Sequence, residues 1–285
     1  FEKSRGLGGR CAVRRHPTYG KFSLGTQFFT NKNHLLSKYF YILEKRSLIS
    51  SFPHPIAYMD GQSVQAATPI TRFIGTPSMN SFIKFWAKDA LLILKTQVIK
   101  ISYQRGKWRI IDNNEHVYDD FDICVLSLPY PQGIDLWRSN SGIIIPKVEM
   151  LPAWALILVT QAIKLRWSAA FIRHSDLSWY NSKVMKKSYQ HWVVHASSKW
   201  SKEYIHRSQD IVEDLIFKKL SYLLKINLDK VYCQGHRWLY ASTMDTATAY
   251  ECLWDSSQKI GYIGDWFCGG RIEGAMSSAW HLNKL

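Results

Sequence analysis

The stretch Ile263-Gly264-Asp265-Trp266-Phe267-Cys268-Gly269-Gly270-Arg271-Ile272-Glu273-Gly274-Ala275-Met276-Ser277-Ser278-Ala279-Trp280 decides how this chain is read. Tyr262 and Ile263 are apolar, so a short strand runs through Gly264 into the acid Asp265. Paired glycines follow, and Arg-Ile-Glu-Gly-Ala then opens a run of small residues that reads as a closing helix. A strand, a glycine-rich turn and a helix together make an anion site, because free N–H groups and the positive end of the helix dipole converge there. If the helix opens at Glu273, Gly274 and Ala275, its backbone donors face whatever lies beyond Asp265, a place suited to a cofactor carbonyl or a developing negative charge. An ordinary loop-to-helix junction explains the same residues equally well.

The opposite end of the chain carries a second glycine-rich turn. Phe1-Glu2-Lys3-Ser4 runs into Arg5-Gly6-Leu7-Gly8-Gly9-Arg10, where backbone N–H groups can approach a ligand closely. Phe1 reads as the middle of a strand, so the natural chain is expected to begin upstream. Glu2 ends that strand. In a dinucleotide fold an acid at the end of the second strand binds ribose hydroxyls, about 20 residues after G-x-G-x-x-G; alone, Glu2 also reads as a surface carboxylate.

Between these ends the pattern changes character. Residues 21–30 are strand-like and aromatic, and 33–45 are helical, with Leu35, Leu36, Tyr39, Phe40 and Leu43 on one side. Prolines and Gly61 break residues 50–70 into short strands and loops. A second helix begins near Ser78, before Phe82, Ile83, Phe85 and Trp86. Turns at Arg105-Gly106-Lys107 and Asn113-Asn114 divide residues 98–118 into a three-stranded meander, and 121–129 reads as a strand buried on both faces. Residues 150–255 alternate aromatic and β-branched side chains, a mostly antiparallel sheet interrupted by one helix over 210–224. His191 and His195 are four apart but flank a strand-like Trp-Val-Val, which does not suit a metal site.

With 285 residues, 46% of them hydrophobic, the chain can bury one large core or two interleaved ones. The formal charge of +15 favours anionic partners. Its basic groups, however, are spread over 3–15, 183–187, 199–207 and 218–230, as on a solvated surface, and the tryptophans sit inside apolar segments, as in a core. No nucleic-acid fold signature is present, so no nucleic-acid partner is expected. Five cysteines without C-x-x-C pairing suggest a reduced, cytoplasmic setting. No apolar run approaches the roughly 18 residues of a membrane span, and no secretory signal is present.

Taken together, the two ends resemble the renalase-like branch of the flavin-dependent amine oxidase superfamily. The resemblance rests on the order and spacing of Phe1 to Arg10, Arg14-Arg15, Gly25-Thr26-Gln27-Phe28-Phe29-Thr30, Gly75 to Asn80, Leu126 to Pro129, Pro152 to Leu156, Trp192 to Ser197, His236-Arg237-Trp238 and Gly264 to Ala275. It implies an α/β protein, in which a Rossmann-like FAD-binding domain (1–30, 72–130 and 256–285) is interleaved with a mainly antiparallel α+β substrate domain (31–71 and 131–255). Carried over by motif, Glu2 would hold the adenosine ribose, Gly8, Gly9 and Arg10 the pyrophosphate, and Val98 the adenine side. Asp265 would meet the pyrophosphate or ribityl chain. Arg271, Glu273, Gly274 and Ala275 would bracket the isoalloxazine, with Gln27 also among the cofactor contacts. The activity implied is oxidation of a reduced nicotinamide-type or amine substrate, with electrons passed to oxygen.

Three departures qualify that expectation. The family's G-x-G-x-x-G strand–helix unit does not occur in the chain, which removes the main helix N-terminus for the pyrophosphate. Ser23-Leu24-Gly25-Thr26 stands where relatives carry an acid and a histidine near the flavin, and Ser278-Ala279 replaces the usual Ser-Gly of the last helix. The competing expectation is a truncated or non-catalytic basic binding protein that no longer holds FAD.

Overall fold

A computed structural model describes residues 1–185, 188–244 and 249–285. Strands β1 (Val13–His16) and β2 (Gly20–Ser23) form a hairpin, followed by helix α1 (Ser37–Lys45). Strands β3 (Ile49–Ser51), β4 (Ile56–Asp60), β5 (Ser63–Ala66) and β6 (Phe73–Gly75) precede helix α2 (Ser81–Trp86). The meander is β7 (Val98–Gln104), β8 (Lys107–Asp112) and β9 (Val117–Phe121); β10 (Cys124–Leu126) and helix α3 (Tyr130–Arg138) follow it. Four long strands come next, β11 (Met150–Gln161), β12 (Ala169–Arg173), β13 (Leu177–Val184) and β14 (Tyr189–Ala196). Helices α4 (Ser198–Glu203) and α5 (Gln209–Leu224) lead to β15 (Lys230–Thr243), β16 (Leu253–Asp255), β17 (Ile260–Tyr262) and helix α6 (Arg271–Leu282).

The largest layer is a seven-stranded sheet in the order β15-β11-β14-β13-β12-β4-β5, antiparallel except where β12 runs parallel to β4. Strand β11 explains it. Its residues 154–160 are all buried, and alternate side chains serve opposite faces. Leu156 and Leu158 join Trp192, Val194, Val212, Ile216 and Leu220 beneath α5. Ile157 and Val159 face the other way, onto Phe22 and Leu24 of the first hairpin and its exit. The helix pattern over 210–224 is thereby accounted for, since Val212, Ile216 and Leu220 are its buried stripe.

A smaller sheet places β17 between β10, which it pairs with in parallel, and β16, which it pairs with antiparallel. The meander covers it through a core containing Trp108, Trp137, Tyr262, Trp266 and Phe267. The expectation that 121–129 forms a strand buried on both faces is corrected here. Phe121 ends β9, the new strand is only Cys124–Leu126 at the sheet edge, and Ile123 and Val125 are 56% and 45% exposed. An apolar run cannot by itself tell a central strand from an edge strand with one face uncovered. A third core gathers Phe29, Phe40, Phe73 and Phe82, with Ile272, Met276 and Trp280 of α6 packed against it.

Trp192 is fully buried and its indole N–H donates to Thr160 Oγ1 at 2.9 Å. Trp192→Ala therefore leaves a large void and removes the donor to the Thr160 hydroxyl, and is expected to destabilise the fold by about 3–5 kcal/mol. A lowered urea midpoint at unchanged slope is the measurement that shows it.

Candidate functional site

The opening motif is delivered by β17. Ile263 N–H donates to Leu126 O at 2.9 Å, Gly264 N–H donates to Ser278 Oγ at 3.1 Å, and the chain then tightens into a 3-10 turn at Asp265–Phe267. Trp266 and Phe267 turn into the core, where the Trp266 indole donates to Leu128 O at 3.1 Å. Asp265 is only 5% exposed. Its backbone carbonyl accepts from Cys268 and Gly270, which closes the turn. Its Oδ1 is ion-paired with Arg10 Nη2, while Arg10 Nη1 donates to Ala241 O at 2.8 Å. One guanidinium thus joins the first glycine turn, the last one and the end of β15.

Among the described residues, Asp265 Oδ2 has no hydrogen-bond partner. A buried carboxylate oxygen without a donor is costly enough to call for an explanation. Beside it lies Gly270, at φ +71, where an added Cβ would come no nearer than 3.8 Å to Oδ2 and 4.0 Å to Thr243 Oγ1. Space and an unanswered acceptor therefore coincide.

An open pocket of about 270 Å³ borders this turn, walled by Lys32, Asn33, Cys268, Gly269, Gly270, Arg271, Glu273, Gly274 and Ser277. Helix α6 starts at its wall. Arg271, the first residue of that helix, has φ +68, a left-handed conformation that costs a non-glycine residue about 1 kcal/mol or more and is commonest at functional sites. Gly274 is required by packing, since a Cβ there would fall 2.5 Å from Cys268 O. The Glu273 carboxylate accepts from Lys32 N–H, from Asn33 N–H at 2.6 Å and from Thr30 Oγ1 at 3.2 Å. It fastens residues 30–33 over the pocket. Burial pushes the Cys268 thiol up to about 11, so it stays protonated at neutral pH.

The structure brings Arg10, Asp265, Arg271, Glu273 and Gly274 to one locality. Gln27 lies close by, because Thr26 N–H donates to Arg10 O, but its own amide donates to Ser23 O and Gly25 O. Ala275 is exposed on α6 and does not line the pocket. Gly8 and Gly9 form the turn before Arg10, at φ +125 and +49. Glu2 forms an isolated parallel bridge with Leu94, and its carboxylate accepts Ser4 N–H. Val98, half-buried at the start of β7, reaches the same region, since Thr96 N–H donates to Glu2 O. Lys32, Asn33 and Thr243 were not anticipated; they sit in loops or at a strand end, with no periodicity to announce them.

His191 and His195 share one face of β14, about 13 Å apart at ~3.3 Å per residue, so one ion cannot bridge them. His195 Nε2 lies 2.9 Å from Leu24 O. Burial lowers the pKa of both, and burial together with Arg14 lowers that of His236 to about 4.

No protein-family model matches the chain. Its fold is similar to that of a protein designated a protoporphyrinogen oxidase in Exiguobacterium sp. 255-15, with a TM-score of 0.76 and 10% identity over 99% of this chain and 91% of that one. It is also similar to two variants of putrescine oxidase made to redesign cofactor binding. The double variant has a TM-score of 0.65 and 9% identity over 99% of this chain and 92% of that one. The triple variant has 0.67 and 8% over 100% and 93%. The α/β class expected from the sequence is the fold these oxidases share.

Two outcomes are expected. Arg10→Met strands a buried carboxylate and destabilises the chain by about 3 kcal/mol, whereas Arg10→Met with Asp265→Leu recovers most of the loss; a urea double-mutant cycle measures the coupling. Acidification acts through His236. Its folded pKa lies below the unfolded 6.5, so the contribution is complete above about 6.5 and is lost as pH falls toward 4. His236→Gln should flatten the fall of the urea midpoint across that window.

Proposed function

We propose that this chain is a flavin-dependent oxidoreductase whose FAD lies with its flavin end at the Asp265 turn. The observation that carries the reading is Asp265 Oδ2, buried and without a donor among the described residues, next to an open, glycine-walled pocket at the start of a helix. A polyhydroxylated ribityl chain is the kind of ligand that supplies such a donor. The similarity in fold to oxidases supports the same reading.

In this proposal Glu2 and Val98 serve the adenosine end, Gly8, Gly9 and Arg10 the pyrophosphate, and Gln27, Asp265, Arg271, Glu273, Gly274 and Ala275 the flavin end. Glu273 acts through Lys32 and Asn33, whose backbone it holds against the pocket. Residues 1–30, 72–130 and 256–285 make up the cofactor domain, and 31–71 and 131–255 the substrate domain. FAD, when bound, supplies the hydride acceptor and passes the electrons to oxygen. The protein's part is to place the donor, a reduced nicotinamide-type compound or an amine, and to aim the α6 backbone N–H groups at developing negative charge. Five cysteines, none in a disulfide, support a reducing cytoplasmic setting.

The test is the visible spectrum of the purified chain after adding FAD and desalting. A retained flavin band is expected, and Asp265→Ala should lose it while the far-ultraviolet dichroism stays unchanged. A wild-type chain that retains no flavin overturns the proposal; nucleic-acid binding with a steep salt dependence would then mark the basic binding protein instead.

A further inference from the structure

We infer that the face of the large sheet turned away from α5 holds an anion subsite centred on Arg14, which selects a substrate carrying a carboxylate or phosphate on a flat ring. This rests on the oxidoreductase reading for its role in turnover, but the binding chemistry belongs to the chain alone.

The face is contiguous with the Asp265 site. A Cβ at Gly25 would lie 2.2 Å from Arg10 O and 3.3 Å from the Trp238 ring, and Arg10 itself reaches Ala241 on the same strand as Trp238. The wall is aromatic. Phe22 stacks on His191 with ring centres 4.7 Å apart, and His236 meets Trp238 edge-on at 4.3 Å.

Three of its polar groups are donors. Arg14 is half-buried on β1 and, among the described residues, forms no ion pair with a carboxylate. Its Nη2 lies 3.4 Å from His236 Nδ1. A guanidinium can only donate, so Nδ1 is the acceptor and the imidazole proton resides on Nε2, which becomes a second donor. The buried indole N–H of Trp238 has no partner among the described residues and is a third. The residues of β15 that alternate toward this face are Tyr232, Gln234, His236 and Trp238, none of them acidic. Glu213 approaches β15 from α5, on the other side, where its oxygens take Gly235 N–H and Gln209 Nε2. Three donors and one positive charge, with no carboxylate beside them among the described residues, fit an aromatic anion on this wall and oppose an alkylammonium ion.

Calorimetric titration of the full chain with benzoate, phenyl phosphate and benzylamine, without added flavin, tests this. Benzoate or phenyl phosphate should bind, and whichever binds more tightly identifies carboxylate or phosphate as the group recognised. Benzylamine should not bind. Arg14→Gln should weaken anion binding roughly tenfold or more, and Arg14→Lys should restore part of it. His236→Gln, which keeps the charge, should weaken it less and serves if Arg14→Gln fails to fold. Equal binding of benzylamine, no binding of either anion, or unchanged affinity in both variants overturns the inference. Flavin retention is read separately. Anion binding without retained flavin sinks the enzyme and keeps the subsite; retained flavin without anion preference does the reverse.

Discussion

The Arg10–Asp265 ion pair is the constraint on which the arrangement depends. Its acid is 6% exposed and its guanidinium 30%, so both charges have left most of their water behind. Such a pair is no reservoir of stability, because desolvation offsets much of the Coulomb attraction. What it provides is registry. The two glycine turns are separated by more than two hundred residues, yet each half of the pair is useless without the other. Because Arg10 also holds the Ala241 carbonyl, the end of β15 is brought to the same point, and the large sheet presents its aromatic face there.

That geometry assigns Arg10 a task the residues alone did not suggest. As a reader of pyrophosphate it would be expected to stand free; in the fold it is already engaged by one oxygen of Asp265. The other oxygen has no donor among the described residues, so the electrostatic invitation of the site comes from the acid and the helix end as much as from the cation. Glu273 has moved in a similar way. Its three donors come from Thr30, Lys32 and Asn33, so it shapes one wall of the pocket from behind.

What could be read in advance follows from the range of the forces involved. The 3.6-residue stripe of α5, the meander over 98–118 and the β17–turn–α6 unit all arise from local periodicity and turn chemistry, and were legible. Legible too was the gathering of Asp265, Arg271, Glu273 and Gly274, neighbours in the chain. Arg14 against His236, 222 residues apart, left no trace in spacing, nor did Thr243 beside Gly270. The strand at 124–126 misled for a related reason: its apolar side chains report that something covers them on one side, and say nothing about the other.

Strand β10 has a further consequence, for colloidal behaviour. It lies at the edge of its sheet among the described residues; Val125 is exposed on it and Ile123 just before it. An edge of this kind is a template for pairing with another molecule. The chain's charge of +15 opposes that encounter at long range, but the repulsion extends only about one Debye length, near 10 Å at 0.1 M salt and about 3 Å at 1 M. Ionic strength therefore governs whether copies meet edge to edge. Dilute buffer keeps them apart, whereas concentrated salt, which in most preparations merely suppresses nonspecific contacts, here removes the barrier to self-association.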